Sequence, residues 1–170
     1  MTSVLIIGGG GMIGQKLASS FSKNDSLTLL DIGFPNKNQS NARKIIGSVG
    51  DSEIIENSLK DLPEVIYYLA SVVSGEAEAD FSKGWDVNIH AFWVFLSLVK
   101  KLNEKSQGQY KPKIIFTSSI AVFGSPFPNQ IPDDFIAAPR TSYGAQKASC
   151  ELMLNAVSYT HLTLPTNDLV

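Results

Sequence analysis

Short apolar runs alternate along the chain with longer segments of helical periodicity. The first run covers residues 4–7 and ends at four consecutive glycines. Strands that are apolar throughout, rather than alternating with polar residues, are typical of parallel sheets covered on both faces. The pattern therefore predicts an α/β protein with a doubly wound parallel sheet. Strands are predicted over 3–7, 27–31, within 43–49, 65–69 and 113–117, and helices over 12–22, 52–62, 80–103 and 142–156.

Local residue types add detail to these elements. Ser52 is expected to cap the second helix, because its hydroxyl can accept a hydrogen bond from a free backbone N–H. The segment 34–41 is rich in Pro, Asn, Lys and Ser and is expected to be a loop. Large apolar residues recur at helical spacing in the long helix and are expected to face the core rather than a cofactor. They are Phe92, Phe95, Leu96 and Val99.

Composition narrows the classes of function. The 170 residues suit one domain, and the net charge of −2 without a basic cluster argues against nucleic acid or a membrane surface as partner. No apolar run is long enough to span a bilayer.

Cys150 is the only cysteine and is expected to pack as a small apolar residue, which fits a reducing cytoplasm. His90 lacks a second ligand at metal-binding spacing, so no metal is expected. Glu76, Glu78 and Asp80 are interpreted as a solvated face.

The turn after the first strand has the composition of a dinucleotide-binding loop. Gly8, Gly11 and Gly14 follow the pattern GxxGxxG, which combines a tight turn, close approach to a pyrophosphate and close helix–strand packing. An ordinary glycine-rich turn has the same spacing, but the position between a strand and a helix favours the dinucleotide. The helix that begins near Met12 would direct free N–H groups at the phosphates. Asp31 ends the second strand, where a carboxylate binds the ribose hydroxyls of NAD and repels the 2′-phosphate of NADP. The sequence thus predicts NAD.

Three residues in the second half of the chain are candidates for catalysis. Ser119 lies just past the fifth strand, where ligands bind in open α/β sheets. Tyr143 and Lys147 are four residues apart and share one helix face, although this spacing also occurs on solvated helices. A neighbouring ammonium group favours a phenolate, which can take a proton from an alcohol while the hydride leaves for NAD⁺. Ser119 would hold the reacting oxygen, Lys147 would also hold the nicotinamide ribose, and the loop 123–141 has room to reach over the site.

Together these motifs resemble the extended short-chain dehydrogenase/reductase family, also called the NAD-dependent epimerase/dehydratase family. GGGGMIG resembles its nucleotide fingerprint, with Ile7 where Thr is usual, TSSIAVFG its strand-five motif, and YGAQK its catalytic motif. The resemblance covers about residues 3–156 and implies a Rossmann fold. It implies that Asp51 meets adenine and that Asn88 supports the site through its backbone and a water. The implied cofactor contacts beyond the glycines and Asp31 are Met12, Ile13, Asp51, Leu69, Ala70, Asn88, Tyr143 and Lys147, and the implied substrate contacts are Ser71, Ser74, Ser119 and Tyr143.

The segment 71–88, SVVSGEAEADFSKGWDVN, resembles a subgroup of that family that acts on four-carbon acid sugars. This resemblance implies oxidation of the C2 hydroxyl of an aldonate to a 2-keto acid with NAD⁺. Two other interpretations stay open. One is a nucleotide-sugar epimerase or dehydratase of the same family, and the other is a dinucleotide-binding protein without chemistry.

The C-terminal residues do not continue the pattern. Residues 157–166, VSYTHLTLPT, resemble the translation of a transposon-type sequencing adapter. We therefore expect a partial NAD-binding domain over 1–156 and a non-native tail over 157–170. The family resemblance implies a further strand and a substrate domain, with the cation for the substrate carboxylate, so we expect a truncated chain that binds NAD weakly, tends to aggregate and is nearly inactive. The resemblance also suggests that the full-length protein forms a homodimer through the helices around Phe92 and Cys150.

Overall fold

Five parallel strands form one sheet in a computed structural model that describes residues 2–22, 24–35 and 42–160, with side chains described as far as 157. The strand order β3-β2-β1-β4-β5 places the first strand at the centre, between β2 and β4. This order confirms the predicted doubly wound α/β fold. The strands are β1 (Ser3–Ile7), β2 (Ser26–Asp31), β3 (Arg43–Ile46), β4 (Val65–Tyr68) and β5 (Lys113–Phe116).

Helices follow the strands and cover both faces of the sheet. A π-helical turn over Asp86–His90 joins the fourth helix to the fifth, and a 3₁₀ turn over Ile120–Val122 follows β5. In the described residues no helix combines the length and apolar character that a membrane span requires. The α-helices are α1 (Met12–Ala18), α2 (Ser52–Leu59), α3 (Ser74–Ala79), α4 (Phe81–Trp85), α5 (Ala91–Lys105) and α6 (Ser142–Thr160).

The first helix is shorter than predicted, and the last is longer. α1 ends at Ala18, because the hydroxyls of Ser19 and Ser20 each donate to a backbone carbonyl three residues earlier, at 2.7 Å. Such local bonds compete with continued helix. α6 continues to Thr160, four residues past its predicted end. Most of the predicted loop 34–41 and the tail beyond residue 160 lie outside the described residues.

The start of α2 differs from the prediction by one residue. Asp51, not Ser52, is the N-cap: its Oδ1 accepts from the backbone N–H of Glu53 at 2.9 Å and of Ile54 at 3.4 Å. A carboxylate accepts stronger hydrogen bonds from N–H groups than a hydroxyl does. The residue that the family resemblance assigns to adenine therefore also has a role in the fold.

The predicted helix over 80–103 is interrupted. α4 begins after Asp80, whose side chain accepts from the backbone N–H of Lys83 at 2.9 Å, and the π-helical turn follows before α5. π-helical turns inside helices are frequent at functional sites. The segment after β4, expected to be a loop, contains α3.

The main core lies between the sheet and helices α5 and α6. Tyr68 on β4 stacks edge-to-face on Phe92 at 4.8 Å between ring centroids, and Phe95 lies 5.1 Å from the same ring. The four apolar residues predicted to face the core are all buried. Phe92 and Cys150 are fully buried within the chain, whereas Trp93 and Leu152 are exposed apolar neighbours on the same helices. The dimer through these helices that the family resemblance suggests stays a prediction.

Replacement of Ile66 by alanine tests the assignment of the core. Ile66 on β4 is 0% exposed, whereas Ile46 on β3 is 68% exposed. Ile66→Ala should lower the free energy of unfolding by about 2–5 kcal/mol, since it removes buried methyl groups and leaves a cavity. Ile46→Ala, the matched control, should cost about 1 kcal/mol or less. Urea unfolding followed by circular dichroism measures both, and equal losses would contradict this core.

Candidate active site

The glycine turn fastens β1 to β2 and to α1. Gly8 has a positive φ of 92°, which favours glycine. The backbone N–H groups of Gly8 and Gly9 both donate to the carbonyl of Leu30, at 2.8 and 3.0 Å. A Cβ on Gly14 would lie 2.2 Å from the Gly8 carbonyl oxygen, so only glycine allows the helix to approach the strand this closely. Gly14 thus has the packing role that its spacing predicts.

The start of α1 is open to an anion. Gly11 occupies the N-cap position and has no side chain that could cap the helix. Met12 and Ile13 begin the helix and are exposed. The first-turn N–H groups lack a capping side chain, which is the arrangement that binds phosphate at a helix N-terminus.

Asp31 closes the other side of this turn. One carboxylate oxygen accepts from the backbone N–H of Gly10 at 2.9 Å, and the other accepts from Gly33 at 3.3 Å. Asp31 lines a cleft of about 420 Å³ at the carboxyl edge of the sheet, together with Gly8 and Gly11. The remaining residues of the cleft are Ile32, Gly47, Ser48, Val49, Leu69, Ala70, Ser71, Val72, Glu76, Lys83 and Val87.

The cleft lies where the strand order reverses, between β1 and β4. The backbone N–H groups of Leu69 and Ala70 both donate to the carbonyl of Ile7, at 2.8 and 3.1 Å. A Cβ on Gly8 would lie 2.7 Å from the nitrogen of Ala70, so the two loops pack directly against each other. Dinucleotides bind at this point in Rossmann folds. Most other predicted site residues lie outside the lining of this cleft: Met12, Ile13, Gly14, Asp51, Ser74, Asn88, Ser119, Tyr143 and Lys147.

Lys147 lies almost completely inside the protein, with 3% of its surface exposed. Its Nζ donates to the carbonyl of Thr117 at 3.0 Å and lies 4.6 Å from the ring centroid of Phe116 and 5.6 Å from that of Tyr143. Burial lowers the pKa of the Lys147 ammonium group, because a charge is costly to remove from water. The predicted Tyr–Lys pair is therefore a contact between a phenol ring and a buried cation.

Ser119 lies between two contacts that join the end of β5 to α6. Before it, Thr117 accepts the Lys147 hydrogen bond; after it, Ala121 meets Gly144, on which a Cβ would lie 2.1 Å from the Ala121 carbonyl oxygen. Ser119 caps the 3₁₀ turn through its Oγ, which accepts from the N–H of Ala121 at 3.2 Å. The structure thus brings the segment with Ser119 against the helix turn with the Tyr–Lys pair, and the catalytic roles stay predictions.

Glu78 has a role that the sequence did not reveal. Its Oε1 accepts from the backbone N–H of Tyr143 at 2.9 Å, while Thr141 caps the same helix by accepting from Gly144 at 3.0 Å. Glu78 is exposed, as expected for a solvated face, but it anchors α3 to the first turn of α6. No local sequence signal connects residues 65 positions apart. Glu76 likewise has a partner, the Nζ of Lys83.

Asn88 supports the cleft through its side chain. Its Oδ1 accepts from the N–H of Val72 at 2.8 Å and from the Ser71 hydroxyl at 3.1 Å, and its Nδ2 donates to the Val72 carbonyl at 3.0 Å. Its backbone carbonyl accepts from the Cys150 thiol at 3.1 Å. The amide group of Asn88 therefore gives a support of its own, and the support expected from the backbone and a water stays a prediction. Ser74, a candidate substrate contact, is exposed at the first residue of α3.

No metal centre is evident in the part of the chain that the structure describes, where no three His, Cys, Asp or Glu side chains cluster as ligands would. His90 is exposed, and its Nδ1 lies 3.0 Å from a carboxylate oxygen of Asp86 one helical turn earlier.

The fold and this site define a dinucleotide-binding protein of the Rossmann type. The sequence profile of the NAD dependent epimerase/dehydratase family matches residues 4–165, and the chain belongs to that family. D-erythronate dehydrogenase of Cupriavidus necator is 34% identical over 169 residues, and that of Haemophilus influenzae 33% over 162. These matches cover 92% and 91% of this chain and 50% of each relative, so the chain spans about half the length of the curated relatives it matches.

A solved structure resembles this chain in both sequence and fold. The nucleoside-diphosphate-sugar epimerase from Agrobacterium tumefaciens is 38% identical, with a TM-score of 0.82 over 94% of this chain and 49% of that one. NAD is the cofactor of the family, as predicted, and the described residues fit it. The turn at Gly8 allows close approach of a phosphate, α1 offers free N–H groups, and Asp31 offers a carboxylate to a ribose.

Asp31→Asn tests the basis of cofactor choice. Loss of the charge should weaken NAD binding about tenfold, the scale of one hydrogen bond to a charged group. NADP binding should weaken less or improve, because the repulsion of its 2′-phosphate is removed. Asp86→Asn, an exposed acid outside the cleft, is the matched control. Isothermal titration with both cofactors measures the ratio of affinities, and an unchanged ratio would contradict this role.

Cys150 should be unreactive in the folded chain. Burial raises the pKa of its thiol to about 12, and the side chain is fully buried. At pH 8 its reaction with a disulfide reagent should therefore be at least about a hundredfold slower in buffer than in urea, since the thiolate is the nucleophile. With one cysteine in the chain, the absorbance of the released thiol reports this residue alone. Equal rates would show that the helix carrying Cys150 does not pack as described.

Proposed function

We propose that the whole protein is an NAD-dependent dehydrogenase that oxidises the C2 hydroxyl of a four-carbon acid sugar, D-erythronate or a close analogue, to the 2-keto acid. Both curated relatives reported above are D-erythronate dehydrogenases, at 34% and 33% identity. This similarity supports the substrate class, and the geometry around Tyr143 supports the reaction class.

The observation that carries the proposal is the buried cation beside a phenol at the ligand-binding edge of the sheet. Lys147 is fixed by its hydrogen bond to Thr117, and its Nζ lies 5.6 Å from the ring centroid of Tyr143. A cation held in low dielectric acts more strongly on a neighbouring charge than one in water. In the proposed reaction Tyr143 is the general base, and the Lys147 cation lies on the side of its ring.

The reaction breaks two bonds of the substrate: the C–H bond at C2, which releases a hydride, and the O–H bond of the C2 hydroxyl, which releases a proton. NAD⁺, which the glycine turn, the start of α1 and Asp31 would hold, would supply the acceptor for the hydride of C2. Tyr143 takes the proton of the C2 hydroxyl, Ser119 donates a hydrogen bond to the oxygen and holds it in place, and a carbonyl forms at C2. The proton on Tyr143 then passes to solvent, so the products are the 2-keto acid, NADH and one proton.

An acid sugar also requires a partner for its carboxylate. Arg140 is a candidate within the described residues, because it is exposed and lies three positions before Tyr143. Its Cγ would lie 3.2 Å from a Cβ on Gly124, so the side chain starts beside the loop that follows Ser119. Arginine binds carboxylates in a two-pronged geometry. Glu78, which is anchored to the start of α6, would repel the substrate carboxylate by its negative charge.

A second candidate is epimerisation of a nucleotide sugar. It is favoured by the Agrobacterium tumefaciens structure, a nucleoside-diphosphate-sugar epimerase at 38% identity. Both reactions begin with removal of hydride from an alcohol, so the site described here serves either. A binding protein without chemistry is disfavoured, because Ser119, Tyr143 and Lys147 are all present and only a catalytic site needs the three together.

Assays of the protein expressed from its complete gene separate these functions. With D-erythronate and NAD⁺, we expect NADH to accumulate, and with UDP- or dTDP-sugars we expect no epimer. Tyr143→Phe should lower kcat at least about a thousandfold, since it removes the general base, while the Kd for NAD⁺ changes less than about threefold. Absorbance at the NADH band and isothermal titration measure the two quantities.

Tyr67→Phe is the matched control, because this tyrosine lies on β4 with its ring against Phe21, 6.1 Å between centroids, on the other face of the sheet. It should retain activity. Epimer formation without net NADH would support the second candidate, and loss of NAD⁺ binding in Tyr143→Phe would mean that the residue is structural.

A further inference from the structure

We propose that Gln146 is a positioning residue: through Asn88, its buried amide holds the segment after β4 that lines the cofactor cleft in register with α6. The assignment rests on the proposed function for the role of α6, but its test measures cofactor binding alone. Failure of the test would therefore leave the choice between dehydrogenase and epimerase untouched.

Gln146 is a fully buried polar residue between the two members of the Tyr–Lys pair. It is 0% exposed, and Asn88 is 3% exposed. Its Oε1 accepts from Nδ2 of Asn88 at 2.7 Å, and its Nε2 donates to the Ser142 hydroxyl at 3.0 Å. Both ends of the amide thus have partners, which is required for a buried polar group to be tolerated.

The hydrogen bond from Asn88 to Gln146 agrees with the orientation that Val72 imposes on the Asn88 amide, whose Nδ2 donates to the Val72 carbonyl at 3.0 Å as well as to Oε1 of Gln146 at 2.7 Å. Oε1 of Gln146 can only accept, so the NH₂ group of Asn88 must point to it. The Asn88 oxygen then faces the N–H of Val72 and the hydroxyl of Ser71, at 2.8 and 3.1 Å. The reversed amide would place two oxygens against each other and two donors against each other. Through Asn88, Gln146 therefore connects α6 to two residues that line the cleft, Ser71 and Val72.

The packing around this amide leaves little room for another arrangement. A Cβ on Gly84 in α4 would lie 2.8 Å from Nε2 of Gln146 and 3.1 Å from Cβ of Ala77 in α3. Three helices therefore meet at the Gln146 side chain, and glycine at position 84 is what lets α4 approach it. Since Ser74 and Glu76 lie on α3, the helices fixed here also carry residues of the candidate site.

Stability alone does not account for a glutamine at this position. Leucine has a similar size and would fill a buried site without the desolvation cost of an amide. A fully satisfied buried network instead specifies one geometry out of several that are equally compact. The geometry specified here is the register between the residues after β4 and the helix that carries Tyr143 and Lys147.

Gln146→Leu and Gly84→Ala test the proposal, with NAD⁺ and AMP as probes. Strand order places Asp31, at the end of β2, and Ser71, after β4, on opposite sides of β1, about 10 Å apart at the strand spacing. We expect AMP to bind on the side of Asp31 and NAD⁺ to extend from there to the side of Ser71. Gln146→Leu should therefore raise the Kd of NAD⁺ about tenfold and change that of AMP less than about twofold.

Gly84→Ala keeps the glutamine in the sequence but pushes its amide out of position, so it should weaken NAD⁺ binding with the same selectivity. If Gln146→Leu does not fold, this variant alone tests the proposal. Leu152→Gln, on α6 but 69% exposed, is the control and should change neither Kd. Isothermal titration measures all affinities. Equal weakening of NAD⁺ and AMP in the two variants, or no weakening of either ligand, would overturn the proposal.

Discussion

The candidate site depends on one interaction, the hydrogen bond that the buried ammonium group of Lys147 donates to the carbonyl of Thr117. Removing a cation from water is costly, and the carbonyl of Thr117 compensates directly for part of that cost. The faces of Phe116 and Tyr143 add a weaker attraction, since aromatic rings favour a cation over their surface. The Thr117 carbonyl follows β5, and Lys147 is on α6. The buried charge of Lys147 therefore has its hydrogen-bond partner only when α6 packs against the end of β5. The geometry of the candidate site and the packing of α6 on the sheet thus depend on the same hydrogen bond.

The cofactor half of the site is built by a different constraint, the close approach of backbones around β1. Gly8 meets the loop after β4, and Gly14 meets Gly8, at distances that any Cβ would prevent. These contacts bring the open start of α1 and the Asp31 carboxylate to the same edge of the sheet as Leu69 and Ala70. Side-chain amides and carboxylates from the segment 72–88 then connect this edge to α6. Polar contacts therefore join the two halves of the site in addition to the apolar core, in which residues of β1, β4 and α6 share one cluster.

The features that could be predicted from the sequence are those with local signals. Apolar runs marked the five strands, glycine spacing marked the turn, and the four-residue interval between Tyr143 and Lys147 placed them on one face. The hydrogen bonds that could not be predicted from the sequence join residues that are distant in the chain. The bond from Glu78 to Tyr143 and the pairing of Asn88 with Gln146 join residues 65 and 58 positions apart. The cap of α2 was missed because Asp51 and Ser52 are both good capping residues, and only the backbone geometry distinguishes them.

A crystal structure of the chain with NAD⁺ bound tests the central claim most directly. The account predicts that the adenine-side ribose hydroxyls lie within hydrogen-bond distance of the Asp31 carboxylate. It also predicts that the nicotinamide ribose lies within hydrogen-bond distance of Tyr143 Oη and Lys147 Nζ. A nicotinamide ribose bound away from both side chains, with Lys147 still donating only to Thr117, would contradict it.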